Sequence, residues 1–394
     1  MLDRKLIDKE FPFLKDVIFL NAALVIIPPK SVQRAYFGFT QEYIKNFADG
    51  VITKAWGIVE EARKNVAALI GAKASEIGFV KNTTEGVGIL ASGYPFTPGD
   101  NVIVVDQEHS ANLFAWIPLQ SKGVELRVVS SRDGKIFVDD FLKQIDGNTR
   151  VVAVSAVQFS TGTYVDLRRL GTICHERNIV LAVDGIQAVG RLAIDVKKLH
   201  IGYLSCGGHK GLLAVTGVGF VFCDESLVQK ITPPYACYQS VRGYVKPPAL
   251  TTDFSKIEWH EDSRRFESGN LNYAGIAAIG AGAKLLITLG IEEIERHIRE
   301  LEEQLLEGIK DLPLRFRSPL EKEFRSGITC VYYPPEIEDR VNEILKRYRI
   351  YVTFRGGYIR FSINFYNTQE QIQKTIEAFR EIAGVVEESE RKDS

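Results

Sequence analysis

The stretch Ile179-Val180-Leu181-Ala182-Val183-Asp184-Gly185-Ile186-Gln187 decides the fold. Its first five residues are apolar without alternation, so neither face of the strand they form is meant for water. A strand buried on both faces belongs to a parallel sheet lying between layers of helices. Runs of the same kind recur on either side. Asn101 to Val105, Val124 to Val129 and Val151 to Val154 precede it, Tyr203-Leu204 and Gly219 to Phe222 follow it, and Gly71 to Val80 leads into the first strand. Helical patterns separate several of these runs, such as Leu167 to Arg177 behind the cap position Asp166. The expectation is an α/β protein whose large domain holds a mainly parallel seven-stranded sheet. In such sheets ligands bind beyond the carboxyl ends of the strands. That rule brings Asp106 to His109, Gln158 to Gly162, Asp184 and His209-Lys210 to one edge.

The rest of the chain reads differently. Thr232 to Asn272, with Pro233-Pro234 and Pro247-Pro248, is an irregular connection too long to be idle in a compact domain. Ile276 to Leu289 is an Ala/Gly-rich helix and Ile291 to Ile309 a charged amphipathic one, and together they form a long helical link near 276–309. After Leu312 come short strands and one helix, Gln369 to Ile382, the pattern of a small α+β domain, and Glu387 to Ser394 reads as a frayed tail. The expected division is a large domain over 18–255 and a small one over 256–394, joined by the N-terminal segment 1–17.

Composition narrows the function. A chain of 394 residues is too long for one simple core, and 45% apolar with 25% charged residues is an ordinary globular balance. A net charge of -1 provides no field to steer nucleic acid or an anionic membrane. The five cysteines are scattered and include no CxxC pair, which fits a reducing compartment without disulfides or a zinc knuckle. The charged start Met1-Leu2-Asp3-Arg4-Lys5 and the lack of a spanning apolar run lead us to expect a cytoplasmic protein with no membrane partner and no metal.

Asp184 ends one buried strand, and Lys210 follows the next within Gly207-Gly208-His209-Lys210-Gly211. A lysine that forms a Schiff base, with a carboxylate opposite a pyridinium nitrogen, is the pair that holds pyridoxal 5'-phosphate (PLP). Desolvation lowers a lysine's pKa and makes its amine nucleophilic. Each candidate also has an ordinary reading. Lys210 could be a loop lysine over a helix C-terminus, and Asp184 a helix N-cap. Asn82-Thr83-Thr84-Glu85-Gly86 could cradle an anion at a helix N-terminus or simply start that helix. His109 could stack on a planar ring or only bond at a strand end. Arg360, in Tyr358-Ile359-Arg360-Phe361-Ser362, could clamp a carboxylate or face solvent. The glycines fit neither a dinucleotide turn nor a P-loop, because no GxGxxG follows the first strand and no GxxxxGK[ST] occurs.

Taken together these motifs resemble the class V aminotransferase family of fold type I PLP enzymes, in the branch of cysteine desulfurases, selenocysteine lyases and isopenicillin N epimerase-like proteins. The resemblance rests on Thr83 to Gly86, Glu108 to Asn112, Ser160-Thr161-Gly162, Val183 to Gln187, Gly208-His209-Lys210, Arg265 to Gly269 and Ile359 to Ser362, in the family's order, over about residues 18 to 382. It implies that Lys210 carries the cofactor, that Asp184 pairs with its ring nitrogen and that Gln187 bonds its phenolic oxygen. It further implies that His109 stacks on the ring and that Thr83, Thr84 and His209 hold the phosphate. Asn270 stands where the family has a threonine reaching the partner subunit's phosphate, which implies a homodimer with shared sites. Arg360 would bind the substrate carboxylate, with Asn21, Ala22-Ala23 and Gln158 lining the pocket. Three departures stand out. Gly207 replaces a phosphate-binding serine. Phe159 stands near the family's asparagine, where Gln158 could compensate. The loop before Arg360, Thr353-Phe354-Arg355-Gly356-Gly357, is too short to carry a persulfide cysteine, and the nearest cysteine, Cys330, falls in a strand-like run. The resulting expectation is a PLP enzyme acting on a small α-amino acid, by transamination first. Cysteine desulfurase, C–S lyase or epimerase chemistry is the alternative. The intact Lys210, Asp184 and Arg360 argue against a PLP-binding protein without turnover.

Overall fold

The computed structural model describes residues 2–46, 50–243, 255 and 257–391. The Pro247-Pro248 part of the irregular connection lies outside them. Seven strands form the large sheet: β1 (Ile77–Val80), β2 (Asn101–Val105), β3 (Glu125–Val129), β4 (Thr149–Ser155), β5 (Val180–Asp184), β6 (Tyr203–Gly207) and β7 (Gly219–Cys223). Their order is β1-β7-β6-β5-β4-β2-β3. Only β7 runs antiparallel to its neighbours, and the other pairings are parallel. The α/β class and the mainly parallel seven-stranded sheet are as read from the sequence. Every residue of β1, β2, β6 and β7 is buried. The edge strand β3 instead exposes Glu125 and places Arg127 beside it at 2.7 Å, a charged edge that discourages further pairing. Ahead of β6, Leu199 and Ile201 are buried from the turn and extended segment that lead into the strand.

The direction of strand addition reverses between β2 and β4, the place where open parallel sheets form a crevice. The β2–β4 ladder runs only as far as Ile103 opposite Val152. Beyond that the ladder is not continued, and side chains bridge the gap it leaves at the two carboxyl ends.

The helical link is two helices, Tyr273–Leu289 and Ile291–Ile309, bent by 75°. The bend falls at Gly290, whose φ of 82° lies in the left-handed region that favours glycine. The first helix is largely apolar, with Lys284 and Thr288 on its exposed side, and packs against the helices Lys30–Lys45 and Val51–Leu69. The second buries one stripe (Ile294, Ile298, Leu301, Leu305) against the helix Gln369–Glu390. That last helix runs past Ile382 because Ala383, Val386 and Ser389 continue its buried stripe and Ser389 Oγ bonds Glu336. Much of the expected frayed tail is therefore ordered helix.

The C-terminal part carries an antiparallel four-stranded sheet in the order Arg315–Phe316, Ile328–Tyr332, Tyr358–Ser362, Thr353–Arg355. The N-terminal segment packs against the same region. Ile18–Phe19 pairs with Ile350–Tyr351, and Phe11 meets the rings of Phe365 and Tyr366 at 5.6 and 5.3 Å. Among the described residues no single helix is long and apolar enough to cross a membrane.

Candidate active site

The carboxyl ends of β1, β2, β4, β5 and β6 deliver the candidate residues to one edge of the large sheet. Asp184 is the last residue of β5 and is buried. Its Oδ1 accepts one hydrogen bond, from Ile186 N–H at 2.9 Å. A turn follows it, not a helix, so the ordinary N-cap reading does not hold. Burial pushes the carboxyl up to about 7, with the neighbouring Glu108 adding to the rise and Lys210 opposing it. Lys210 shares this environment. Burial brings its amine down to about 8, against the pull of Asp184 and with help from Arg360. The structure therefore holds an acid and an amine together with little else to neutralise them.

His109 caps a short helix, its Nδ1 accepting from Ala111 N–H at 3.1 Å. An accepting Nδ1 carries no proton. Burial, with Lys210, Arg355 and Arg360 nearby, lowers the ring's pKa and keeps it neutral. Its ring meets Phe159 edge-on at 5.0 Å. Thr83 opens the helix Thr83–Gly93, and its Oγ1 accepts from Gly207 N–H at 3.0 Å, leaving its own O–H to donate elsewhere. Asn82 caps Glu85 N–H at 2.9 Å. The first-turn N–H groups of Thr83 and Thr84 then have no intrahelical partner and mark an anion site at the positive end of the helix. Thr84 is exposed. His209, partly buried, has its pKa lowered by burial and by Lys210.

Gln187 is buried. Its Nε2 bonds Ala23 O at 3.0 Å, while its Oε1 has no partner. Gln158 is likewise buried with an unpartnered Oε1. Arg360 sits on the strand Tyr358–Ser362 at 1% exposure; its Nη1 donates to Phe159 O at 2.8 Å, and its Nε and Nη2 have no partner. Burial, together with Arg355, brings its pKa down to about 10. Asn21 lies beside the same strand, accepting from Thr353 Oγ1, with Thr353 directly opposite Arg360. Asn270 stands apart. It is exposed, its Oδ1 accepts from Tyr238 OH at 3.0 Å, and no described contact links it to Lys210.

Two features were not read as functional from the sequence. Glu108 fills the gap between β2 and β4, where its carboxylate accepts from Ser155 N–H (2.7 Å), Ser155 Oγ (2.5 Å), Gln158 Nε2 (2.8 Å) and Asn112 Nδ2 (2.9 Å). Burial raises its pKa and these donors oppose the rise. It locks the segment that carries His109 to the one that carries Gln158. The only available signal was an acid three residues past the end of a buried strand, which says that donors are needed but not which. The second feature concerns the Arg265-to-Gly269 motif. Within it, Glu267 is buried against Arg63 Nη1 at 2.8 Å and caps Phe79 N–H at 3.0 Å, so it braces β1 and does not reach the site.

The site fits PLP on its own terms. A buried carboxylate with one donor suits a protonated ring nitrogen, a buried amine suits the aldehyde carbon, and a bare helix N-terminus suits the phosphate. Gln187 has a polar end to spare. These features define a PLP-dependent enzyme of the fold type I architecture. The chain belongs to the aminotransferase class-V family, whose family model matches residues 18–375. A probable cysteine desulfurase of Methanothermobacter thermautotrophicus is 29% identical over 96% of this chain and 97% of its own length. The apo structure of a cysteine desulfurase from Thermococcus onnurineus NA1 superposes with a TM-score of 0.86 at 25% identity, covering 98% of each chain. A complex of the cystine C–S lyase C-DES with its product cysteine persulfide shares the fold, with a TM-score of 0.84 at 21% identity over 95% of this chain and all of that one.

Proposed function

We propose that this PLP-dependent enzyme cleaves the carbon–sulfur bond of a cysteine-type α-amino acid and releases the sulfur without loading it onto a cysteine of its own. The relatives named as cysteine desulfurases extend along nearly the whole chain, which favours C–S cleavage over the transamination expected from the sequence. The observation that shapes the proposal is Cys330. It pairs directly with Arg360 across the ladder, which makes it the thiol nearest the carboxylate-binding position. Yet it is buried, its Sγ donates to Ser160 O at 3.4 Å, and burial pushes the thiol up to about 11. A thiol held protonated and out of solvent is not a sulfur acceptor. The turn before Arg360 is only Gly356-Gly357, with no room for a cysteine-bearing loop.

The chain's own residues have distinct tasks in this reading. Arg360 offers two unpartnered N–H groups to the substrate carboxylate, and its bond to Phe159 O fixes the direction in which they point. Lys210 would hold the cofactor and then, with burial bringing its amine's pKa down to about 8, accept the proton from Cα. Asp184 would keep the ring nitrogen charged, and Thr83, Thr84 and His209 would hold the phosphate. When bound, PLP supplies an electron sink for the pair left at Cα. The sulfur leaves with the electrons of the C–S bond, and water then releases the carbon skeleton as pyruvate and ammonia. A homodimer is part of the proposal. Asn270 points outward, and Phe37, Tyr43 and Ile44 offer exposed apolar surface on the helix Lys30–Lys45.

The test is product analysis with L-cysteine and L-cystine. Sulfide or persulfide together with pyruvate supports the proposal. Alanine release, or a keto acid that retains sulfur alongside pyridoxamine phosphate, would overturn it in favour of desulfuration onto a thiol or of transamination respectively.

A further inference from the structure

Two of the departures from the family pattern, Phe159 and the short loop carrying Arg355, meet in space. The guanidinium of Arg355 lies 5.4 Å from the centre of the Phe159 ring. The same residue's carbonyl takes the bond from Arg360, and its ring edge meets His109. Strand register explains how the arginines come together. Arg355 lies opposite Tyr358, and Arg360, two residues on from Tyr358, shares its face of the small sheet. Tyr332 lies opposite both Tyr358 and Arg315, which carries this face to the edge strand. Arg317, just beyond that strand, sits 4.9 Å from the Tyr358 ring and donates to Tyr332 OH at 3.1 Å.

The face thus carries four arginines, with exposure rising outward from buried Arg360 through half-buried Arg355 and Arg317 to exposed Arg315. Among the described residues none of the four has a carboxylate partner, and Arg317, Arg355 and Arg360 each keep a buried Nε without a bond. Elsewhere the chain pairs its arginines freely, as in Arg63–Glu267, Arg127–Asp146 and Arg325–Glu303. Like charges brought together without an acid repel, and a single α-carboxylate neutralises only one of them.

We infer that Arg355, seated on Phe159 and backed by Arg317, is a specificity residue that binds a second anionic group on the substrate's side chain. The substrate class is then an α-amino acid carrying a distal carboxylate or comparable anion, with its α-carboxylate on Arg360. This deepens the reading above and rests on its α-amino-acid part, not on C–S cleavage. Arg355 owes its place to the two-glycine turn. A longer loop at that point would carry different residues over the site.

The test compares equilibrium binding of near-isosteric acid and amide pairs to the PLP-loaded enzyme, read from the cofactor's visible absorbance. The pairs are L-aspartate with L-asparagine and L-glutamate with L-glutamine, none of which carries sulfur. At least one acid is expected to bind about tenfold or more tightly than its amide, the scale of one charge-assisted hydrogen bond. Arg355→Gln should erase that ratio by weakening the acid far more than the amide, whereas Arg360→Gln should weaken acid and amide together. Phe159→Leu, which keeps bulk but removes the ring, should lower the ratio in part. A wild-type ratio near one for both pairs, or an Arg355→Gln variant that loses acid and amide equally, overturns the inference. An enzyme that shows the ratio but releases no sulfide fails the C–S proposal alone.

Discussion

Glu108→Ala removes the acceptor that closes the gap between β2 and β4. Four donors lose their partner: Ser155 N–H and Oγ, Gln158 Nε2 and Asn112 Nδ2. Gln158 and Asn112 are 0% and 1% exposed, so water cannot readily replace the carboxylate. Each orphaned buried donor costs about 1–3 kcal/mol. The sum is not reached, because the Ser155 hydroxyl can rotate and because removing the acid also removes the cost of burying its charge. A net loss of about 3–5 kcal/mol follows. Glu108→Gln keeps one acceptor oxygen but turns an N–H toward the remaining donors, so about 1–2 kcal/mol is expected. A protein of this size need not unfold in one step, so the assay should be local. Hydrogen exchange across β4 and the Val157–Gly162 segment should accelerate about 100-fold or more in the alanine variant, if exchange tracks local opening. It should accelerate much less in the glutamine variant, and peptides from the Ile291–Ile309 helix should be unaffected by either. Equal acceleration in the two variants, or none, would refute the claim that the donors' need for an acceptor is what holds this edge together.

Three further outcomes follow from the site. Lys210→Ala should abolish the visible band that PLP gives with the wild type, while the far-ultraviolet circular dichroism is unchanged; a band that survives would displace Lys210 as the anchoring amine. In the cofactor-free protein the folded pKa of Lys210 lies below that of an unfolded lysine, so between about pH 8 and pH 10 the unfolded chain binds the extra proton and stability rises with pH. Asp184 has its folded pKa raised instead, so its contribution is present at acid pH and is lost as pH climbs toward about 7. Between about pH 8 and pH 10 the urea midpoint of the wild type should rise relative to that of Lys210→Met, and profiles that stay parallel across that window would contradict the assignment. Gly207→Ser restores a phosphate donor. A Cβ there meets Ile186 Cδ1 at 3.1 Å and His209 Nδ1 at 3.4 Å, contacts that movable side-chain ends can relieve. The variant should fold and bind PLP about tenfold more tightly, as one added charge-assisted hydrogen bond allows. Weaker PLP binding by a folded variant would show that this edge does not face the phosphate.

By itself the sequence determined the sheet and the identity of its key side chains. Unbroken apolar runs with turn residues at their ends can only be strands buried on both faces, and a parallel sheet sends all their carboxyl ends to one edge. Asp184, Lys210, His109 and Thr83 were legible for that reason, since each stands at the end of such a strand or a few residues past it. Arg360 was legible as an arginine on an alternating strand. Tertiary structure decided what depends on contacts between distant segments. Only the meeting of the segments that follow β2 and β4 shows why Glu108 is needed and which donors it takes. Only strand register sets Cys330 opposite Arg360, where it is close but buried and protonated. The pairing of Arg355 with Phe159 joins residues that are far apart in the chain and unremarkable on their own. A local pattern records whether a side chain is meant for the interior. Which partner it finds there is settled by packing, and in this site that partner decides whether a charge is neutralised or left available to bind a substrate.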